Sequence, residues 1–263
     1  MTSPSTSQRD ELARQLLAAE RSGVAMRRLS DQFPEMDAEA AYDVQRRVVS
    51  LKVATGETIR GYKIGLTSKA MQKAVGIDEP DYGHIFASQV HESGCKLPLT
   101  GLNAPRIEVE LAFILDQPLR GPGITVCDVL SATRYVMPAL ELIASRTELP
   151  RKLVDTLSDN AAGAGVILGG RPVKPSEVDL RWLAAVLYKN ADIVESGVSA
   201  AVLGHPASGV AWLANRLGAR EVTLEPGQIL LAGSFTPPVA VAAGDVIHAD
   251  YGPLGGIAVA FSS

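Results

Sequence analysis

The chain has 263 residues, 46% apolar and 21% charged, with 25 Lys and Arg against 29 Asp and Glu for a formal net charge of -4. That balance fits one large or two small globular domains, excludes a disordered chain, and argues against general binding to nucleic-acid phosphates. No apolar run approaches the roughly 20 residues of a membrane-spanning helix, and the polar first residues lack a secretory signal's pattern. The two cysteines, Cys95 and Cys127, stand in no paired or metal-binding spacing, so a cytoplasmic protein away from membranes is expected.

Residues 1–7 read as a loose tail. Ser7 and Asp10 have the spacing of a capping box. Leu12, Leu16 and Ala19 then recur at helical spacing, and Gly23 ends the helix. A second helix is predicted from Asp37 as its N-cap, with Val44, Val48 and Leu51 on one face, to Gly56 as a left-handed terminator. Residues 1–57 thus form a helical N-terminal segment ahead of a β-rich unit over 58–263. There Tyr62, Ile64 and Leu66 alternate with Lys63, Gly65 and Thr67 as in a half-buried strand. Residues 106–115 (RIEVELAFIL) form a stronger strand, with Ile107, Val109, Leu111, Phe113 and Leu115 on one face. A short helix follows over 125–134, where Thr125 and Asp128 repeat the capping spacing, and then a strand over 136–143. The small-residue stretch 158–165 (SDNAAGAG) reads as a loop or a tight surface. Strands at 183–188 and 193–195 flank a Lys-Asn-Ala-Asp turn, a helix covers 208–217, and the remaining short apolar runs are spaced as an antiparallel meander. The expected class is α+β.

There is no dinucleotide or phosphate glycine loop, no G-x-S-x-G elbow, no H-E-x-x-H and no C-x-x-C. The four histidines (His84, His91, His205, His248) are scattered and read as surface or turn residues. Glu108 and Glu110 are more informative. On a strand they point to one face about 6.6 Å apart, a face that continues with Ala112 and Ile114 and so is not a solvated stripe. Glu141 lies in a similarly apolar strand (PALELI). Carboxylates in such settings need compensation. Either they meet Arg106, Arg134 or Arg146 in ion pairs, or they form a hard all-oxygen ligand set for Mg2+ or Mn2+. Lys63, between Gly61 and Gly65, either snorkels to the surface or holds a ligand's carboxylate or enolate oxygen. Asp81, in the turn Glu79-Pro80-Asp81-Tyr82-Gly83, is a turn former or a general base. Asn160 and Ser234 sit in small-residue loops from which they could donate hydrogen bonds.

GYKIGLTSKAMQ (61–72), EPDYG (79–83), RIEVELAFIL (106–115), PLRGPG (118–123), PALELI (138–143), DTLSDNAAGAGVILGG (155–170), GVAWLAN (209–215) and GQILLAGSF (227–235) resemble the 2-oxo-4-enoate hydratase and 4-oxalocrotonate decarboxylase family of the fumarylacetoacetase-like superfamily. The resemblance runs from about residue 30 onward, and its wording is most similar to that of the 2-oxohept-4-ene-1,7-dioate hydratases. It implies a mixed, rolled β-sandwich with surrounding helices, assembled as a homo-oligomer. It implies Mg2+ (or Mn2+) held by Glu108, Glu110 and Glu141, Lys63 and Asp81 in catalysis, and Lys63, Leu66, Asn160 and Ser234 around the substrate. The implied reaction is hydration of a 2-hydroxy-2,4-dienoate to a 4-hydroxy-2-oxo acid in aromatic meta-cleavage catabolism, with a pathway aldolase or decarboxylase as a possible partner. A decarboxylase using the same dienolate is the alternative, and an inactive stabilising partner of a pathway enzyme a second. Ala144 and Pro237 depart from the family's pattern, and both bear on the far end of the pocket, where a second carboxylate would bind.

Overall fold

The computed structural model describes residues 3–69, 72–73 and 77–263. Ala70 and Met71 of the quoted 61–72 segment, and Met1 and Thr2 of the expected tail, lie outside the described residues. The first helix, α1 (Thr6–Ser22), starts earlier than expected. Ser5 is its cap, accepting from the Gln8 amide, while Gln8 returns a bond to Ser5, so the box belongs to Ser5 and Gln8 and not to Ser7 and Asp10. Gly23, at φ 69°, closes it as predicted. After the short α2 (Leu29–Gln32), α3 (Ala38–Ala54) is capped by Asp37. Its buried stripe includes Val44 and Val48, but Leu51 is exposed.

Two mixed sheets form the body. The larger contains, in spatial order, β2 (Asp81–Phe86), β1 (Ile59–Gly65), β10 (Ile229–Leu231), β5 (Arg106–Leu115), β6 (Thr133–Ile143), β7 (Gly163–Leu168) and β3 (Val90–Glu92), with β11 (Val239–Ala240) also pairing β5. The smaller runs β4 (Lys96–Pro98), β13 (Gly256–Ser262), β12 (Val246–Asp250), β8 (Ala184–Lys189) and β9 (Asp192–Val198). The helices α4 (Val126–Ala132), α5 (Leu153–Ser158) and α6 (Ala207–Gly218) complete the α+β fold. Thr125 and Asp128 box α4 as expected.

Three expectations are corrected. Residues 163–165 enter strand β7, and Ala161 and Ala162 are buried, so 158–165 is neither a surface nor wholly a loop. Asp81 opens strand β2 and is no turn residue. The last third is no simple meander: β10 runs parallel to β1, and β13 runs parallel to β4.

One apolar cluster joins both sheets and the N-terminal helices, from Leu12, Leu16 and Val44 through Leu111, Phe113 and Leu140 to Leu187, Ile257 and Val259. Tyr251 ties the sheets together, its hydroxyl donating to the carbonyls of Glu110 (3.0 Å) and Ala139 (2.7 Å). That bond pair fixes the backbone of the two strands on which the carboxylates stand.

Candidate active site

β5 and β6 pair antiparallel in a register that sets Glu108 opposite Glu141 and Glu110 opposite Ala139. Alternate residues of a strand share a face, so Glu141 joins the two β5 glutamates on one side of the sheet. One oxygen from each of the three lies within 4.8 Å of the others. Glu110 and Glu141 are each 1% exposed, and Glu108 is half-buried. Among the described residues no arginine forms an ion pair with them: Arg146 pairs with Asp159 instead, at 2.5 Å. Among the described residues their one ion pair is with Lys63, whose Nζ stands 3.3 Å from Glu141 Oε1. Glu110 Oε2 accepts the Gly233 amide at 2.8 Å. Glu110 Oε1 and Glu141 Oε2 are buried with no hydrogen-bond partner.

Lys63 comes from β1 and is 4% exposed, which excludes the snorkelling alternative. Burial alone would lower its pKa, but Glu141, Asp81, Glu108 and Glu110 reverse the effect and hold the ammonium protonated. Burial raises all three glutamates. Glu141 reaches about 7 against the pull of Lys63, and Glu110, facing Glu141 and Glu108, is held well above the ordinary carboxylate range. Asp81, 3% exposed, is likewise raised by burial and keeps an unpartnered Oδ1. It reaches the cluster because β2 pairs with β1, Asp81 opposite Gly65 and Gly83 opposite Lys63.

Unpaired buried carboxylate oxygens are costly, and here two of them converge with a third, without His or Cys. That donor set fits a hard divalent cation such as Mg2+, which favours oxygen ligands and would relieve the mutual repulsion. Zinc, which favours nitrogen and sulfur, fits less well.

A cavity of about 680 Å³ opens beside the cluster, lined by Lys63, Gly65, Leu66, Asp81 and Glu108, and by Arg106, Leu149, Pro150, Arg151 and Ala161 among others. Leu66 lies just past β1 with φ 53°, a left-handed conformation that costs a leucine energy and is found where a site over-determines the backbone. Asn160 and Ser234 do not line the cavity. The Asn160 amide clamps the backbone of His84, accepting from its N–H at 2.7 Å and donating to its carbonyl at 2.8 Å. Ser234 Oγ lies 2.8 Å from the Thr236 carbonyl and 3.3 Å from that of Val109.

His84 corrects the surface reading given to the histidines. It lies within β2, and burial of its ring lowers its pKa to about 4. Arg151 is a pocket residue that sequence reasoning missed. It stands alone between a proline and a helix start, with no periodicity or motif to mark it.

The profile of the fumarylacetoacetate (FAA) hydrolase C-terminal family matches residues 68–261. The chain belongs to that family. It is 54% identical to the 2-oxo-hept-4-ene-1,7-dioate hydratase of Escherichia coli over 257 residues, covering 95% of this chain and 96% of that one. It is 41% identical to a 2-hydroxyhexa-2,4-dienoate hydratase of Comamonas testosteroni, with 88% of each chain covered. Among solved structures it is similar to the 4-oxalocrotonate decarboxylase of Pseudomonas putida G7 complexed with magnesium and adipate. The TM-score is 0.96 at 37% identity, covering 99% of this chain and 100% of that one. The rolled mixed sheets expected from the family resemblance are thus the family's fold.

Proposed function

We propose that this chain is a divalent-metal-dependent hydro-lyase that adds water to a 2-oxo-4-enoate, with 2-oxohept-4-ene-1,7-dioate as substrate and a 4-hydroxy-2-oxo acid as product. The observation that carries the reading is the convergence of three glutamates, two with orphaned oxygens, beside a buried lysine and aspartate at one cavity, in a chain 54% identical to a hydratase of that diacid. Glu108, Glu110 and Glu141 would hold the cation. When bound, Mg2+ supplies a Lewis acid for the C1 carboxylate and C2 oxygen of the substrate and favours negative charge on the latter. Lys63, kept cationic by its acidic neighbours, stabilises charge on the C2 oxygen or donates a proton as the dienol ketonises to the 2-oxo-3-enoate. Asp81, raised by burial and with a free Oδ1, takes the proton of the water that adds at C4 and returns it to C3, which completes addition across the C3–C4 double bond. Leu66 packs against the substrate, and Asn160 and Ser234 keep the surrounding backbone in place. The enzyme works in the cytoplasm as a homo-oligomer, and an aldolase or decarboxylase acting on neighbouring intermediates is its candidate partner.

The likeness to 4-oxalocrotonate decarboxylase favours a second reading, in which the same groups stabilise a dienolate left by loss of CO2. One assay separates the two. Purified protein with Mg2+ and freshly generated dienol is expected to remove the dienol absorbance and yield the 4-hydroxy-2-oxo acid, with loss of turnover in a chelator. Release of CO2 from 4-oxalocrotonate without hydration would overturn the hydratase reading, and no turnover of either substrate would leave the non-catalytic partner.

A further inference from the structure

We infer that Arg151 is the specificity residue that selects a second, distal carboxylate on the substrate; the inference deepens the proposed hydration and rests on it. Three cationic side chains line the cavity: Lys63, Arg106 and Arg151. Lys63 is engaged by Glu141 among the carboxylates that would take the 2-oxo acid end. Arg106 is exposed at the first position of β5, where hydration competes with any ligand. Arg151 is half-buried, faces the cavity, and among the described residues forms neither a hydrogen bond nor an ion pair. The charges of Asp159, Asp81 and Glu108 offset part of its desolvation, but among the described residues no acceptor is hydrogen-bonded to the guanidinium. Its planar fork suits a carboxylate that arrives with the ligand.

The backbone that carries Arg151 is fixed before any ligand binds. The Glu148 amide donates to the Met26 carbonyl at 2.9 Å, and Arg28 Nη1 donates to the Pro150 carbonyl at 2.5 Å. On the other side the Lys152 amide donates to Asp155 Oδ2 at 2.8 Å, and the fully buried Asp155 also accepts from the Ser30 amide and hydroxyl. Preorganisation of this kind reduces the ordering that binding would otherwise require. Leu149 and Ile143 line the same cavity and offer apolar contact to the methylene chain between two charged ends. Asp81 and Glu108 both feel the Arg151 charge, which puts the arginine within electrostatic reach of the acidic end of the site.

The test compares ligands that differ only in the distal group, on wild type and on Arg151→Gln, Arg151→Lys and Arg106→Gln. Binding is measured by calorimetry in Mg2+ with the non-hydratable 2-oxoheptanedioate and 2-oxoheptanoate. Turnover is measured with the seven-carbon diacid dienol and with a monocarboxylate dienol. Truncating one partner of a desolvated charge pair is expected to lower kcat/KM for the diacid about a hundredfold, mainly through KM, and to weaken 2-oxoheptanedioate binding to match. Arg151→Lys should recover part of that loss. Monocarboxylate turnover and 2-oxoheptanoate affinity should fall about tenfold less than the diacid values, since the lost charge beside Asp81 and Glu108 acts on both ligand classes alike, and circular dichroism reports that the variant is folded. Equal losses on both ligand classes, no loss on either, or a diacid-selective loss in Arg106→Gln alone would overturn the assignment. A wild type that hydrates neither dienol would instead refute the hydratase reading, and the calorimetric comparison would still decide the role of Arg151.

Discussion

Gly65 offers a way to displace Asp81 without changing its chemistry. A Cβ at Gly65 would stand 2.2 Å from Asp81 Oδ1 and 3.4 Å from Lys63 Nζ. Real Cβ contacts essentially never fall below 3.0 Å, so in Gly65→Ala the carboxylate must retreat by at least 0.8 Å (3.0 less 2.2). The obstructing atom is the end of a rotatable side chain, so the strain is that of an off-rotamer aspartate, about 1 kcal/mol. Loss of glycine's freedom in the unfolded chain offsets part of it. Net stability should therefore change by less than about 1 kcal/mol. Activity should suffer far more, because misplacing a reacting group by about 1 Å costs up to about a hundredfold. We expect kcat to fall ten- to a hundredfold, about 1.4–2.7 kcal/mol of barrier, read as loss of dienol absorbance beside urea unfolding of the same preparation. Gly83→Ala is the counterpart. There the new Cβ would meet the Asn160 carbonyl oxygen at 2.4 Å, a backbone atom of the residue whose side-chain amide clamps His84, and the damage should appear as lost stability of about 1–3 kcal/mol or more. A folded Gly65→Ala enzyme with wild-type kcat would refute the assignment of proton transfer to Asp81.

Glu110→Gln should leave the metal-free protein at least as stable as wild type, because the amide replaces a carboxyl whose ionisation is opposed by burial, Glu141 and Glu108 while keeping an oxygen for the Gly233 amide. The same change should abolish the rise in Tm expected of wild type with Mg2+; thermal unfolding with EDTA or Mg2+ measures both. His84 carries an opposite and separable pH effect. Its folded pKa of about 4 lies below the ordinary 6.5, so its contribution is complete above pH 6.5 and is lost as pH falls through 6.5 toward 4, by at most about 3 kcal/mol. His84→Phe, which keeps a ring near Tyr62, should flatten that part of the stability profile relative to wild type in urea titrations across the same range.

Much of this was legible in the residues. The alternation of 106–115 specified β5 to its ends, because one face is uniformly large and apolar and the strand is long. The shorter β2 and β7 were hidden by glycines that sequence rules read as turns. In the fold Gly83 serves close approach, because a Cβ there would strike Asn160, whereas a Cβ at Gly163 or Gly165 of β7 would meet only ordinary contacts at 3.5 and 3.6 Å. Such an approach comes from a distant segment and leaves no local period. The first helix cap was misplaced by two residues because Ser5 and Ser7 are chemically equal candidates, and only the return bond from Gln8 selects Ser5. Arg151 was invisible for the same reason as Asp81's strand, since its meaning lies in what faces it across a cavity.

The proposed metal cage depends on a quantity that neither strand carries alone. The spacing of Glu108 and Glu110 puts both on one face, but Glu141 joins them only through the β5–β6 register. A slip of one residue would flip one strand's side chains to the wrong face. What holds the register is the other side of the same strands, where Ile107 faces Leu142, Val109 faces Leu140 and Leu111 faces Pro138, the aliphatic residues at 3% exposure or less. Slipping would drive Glu141 into that core and expose aliphatic side chains worth about 1.5–3 kcal/mol each, a penalty comparable with the stability of a whole domain. The apolar pattern that builds the sandwich therefore also aligns the three carboxylates, and substitutions on the core face of β5 or β6 that loosen this pairing should weaken metal binding without touching a ligand.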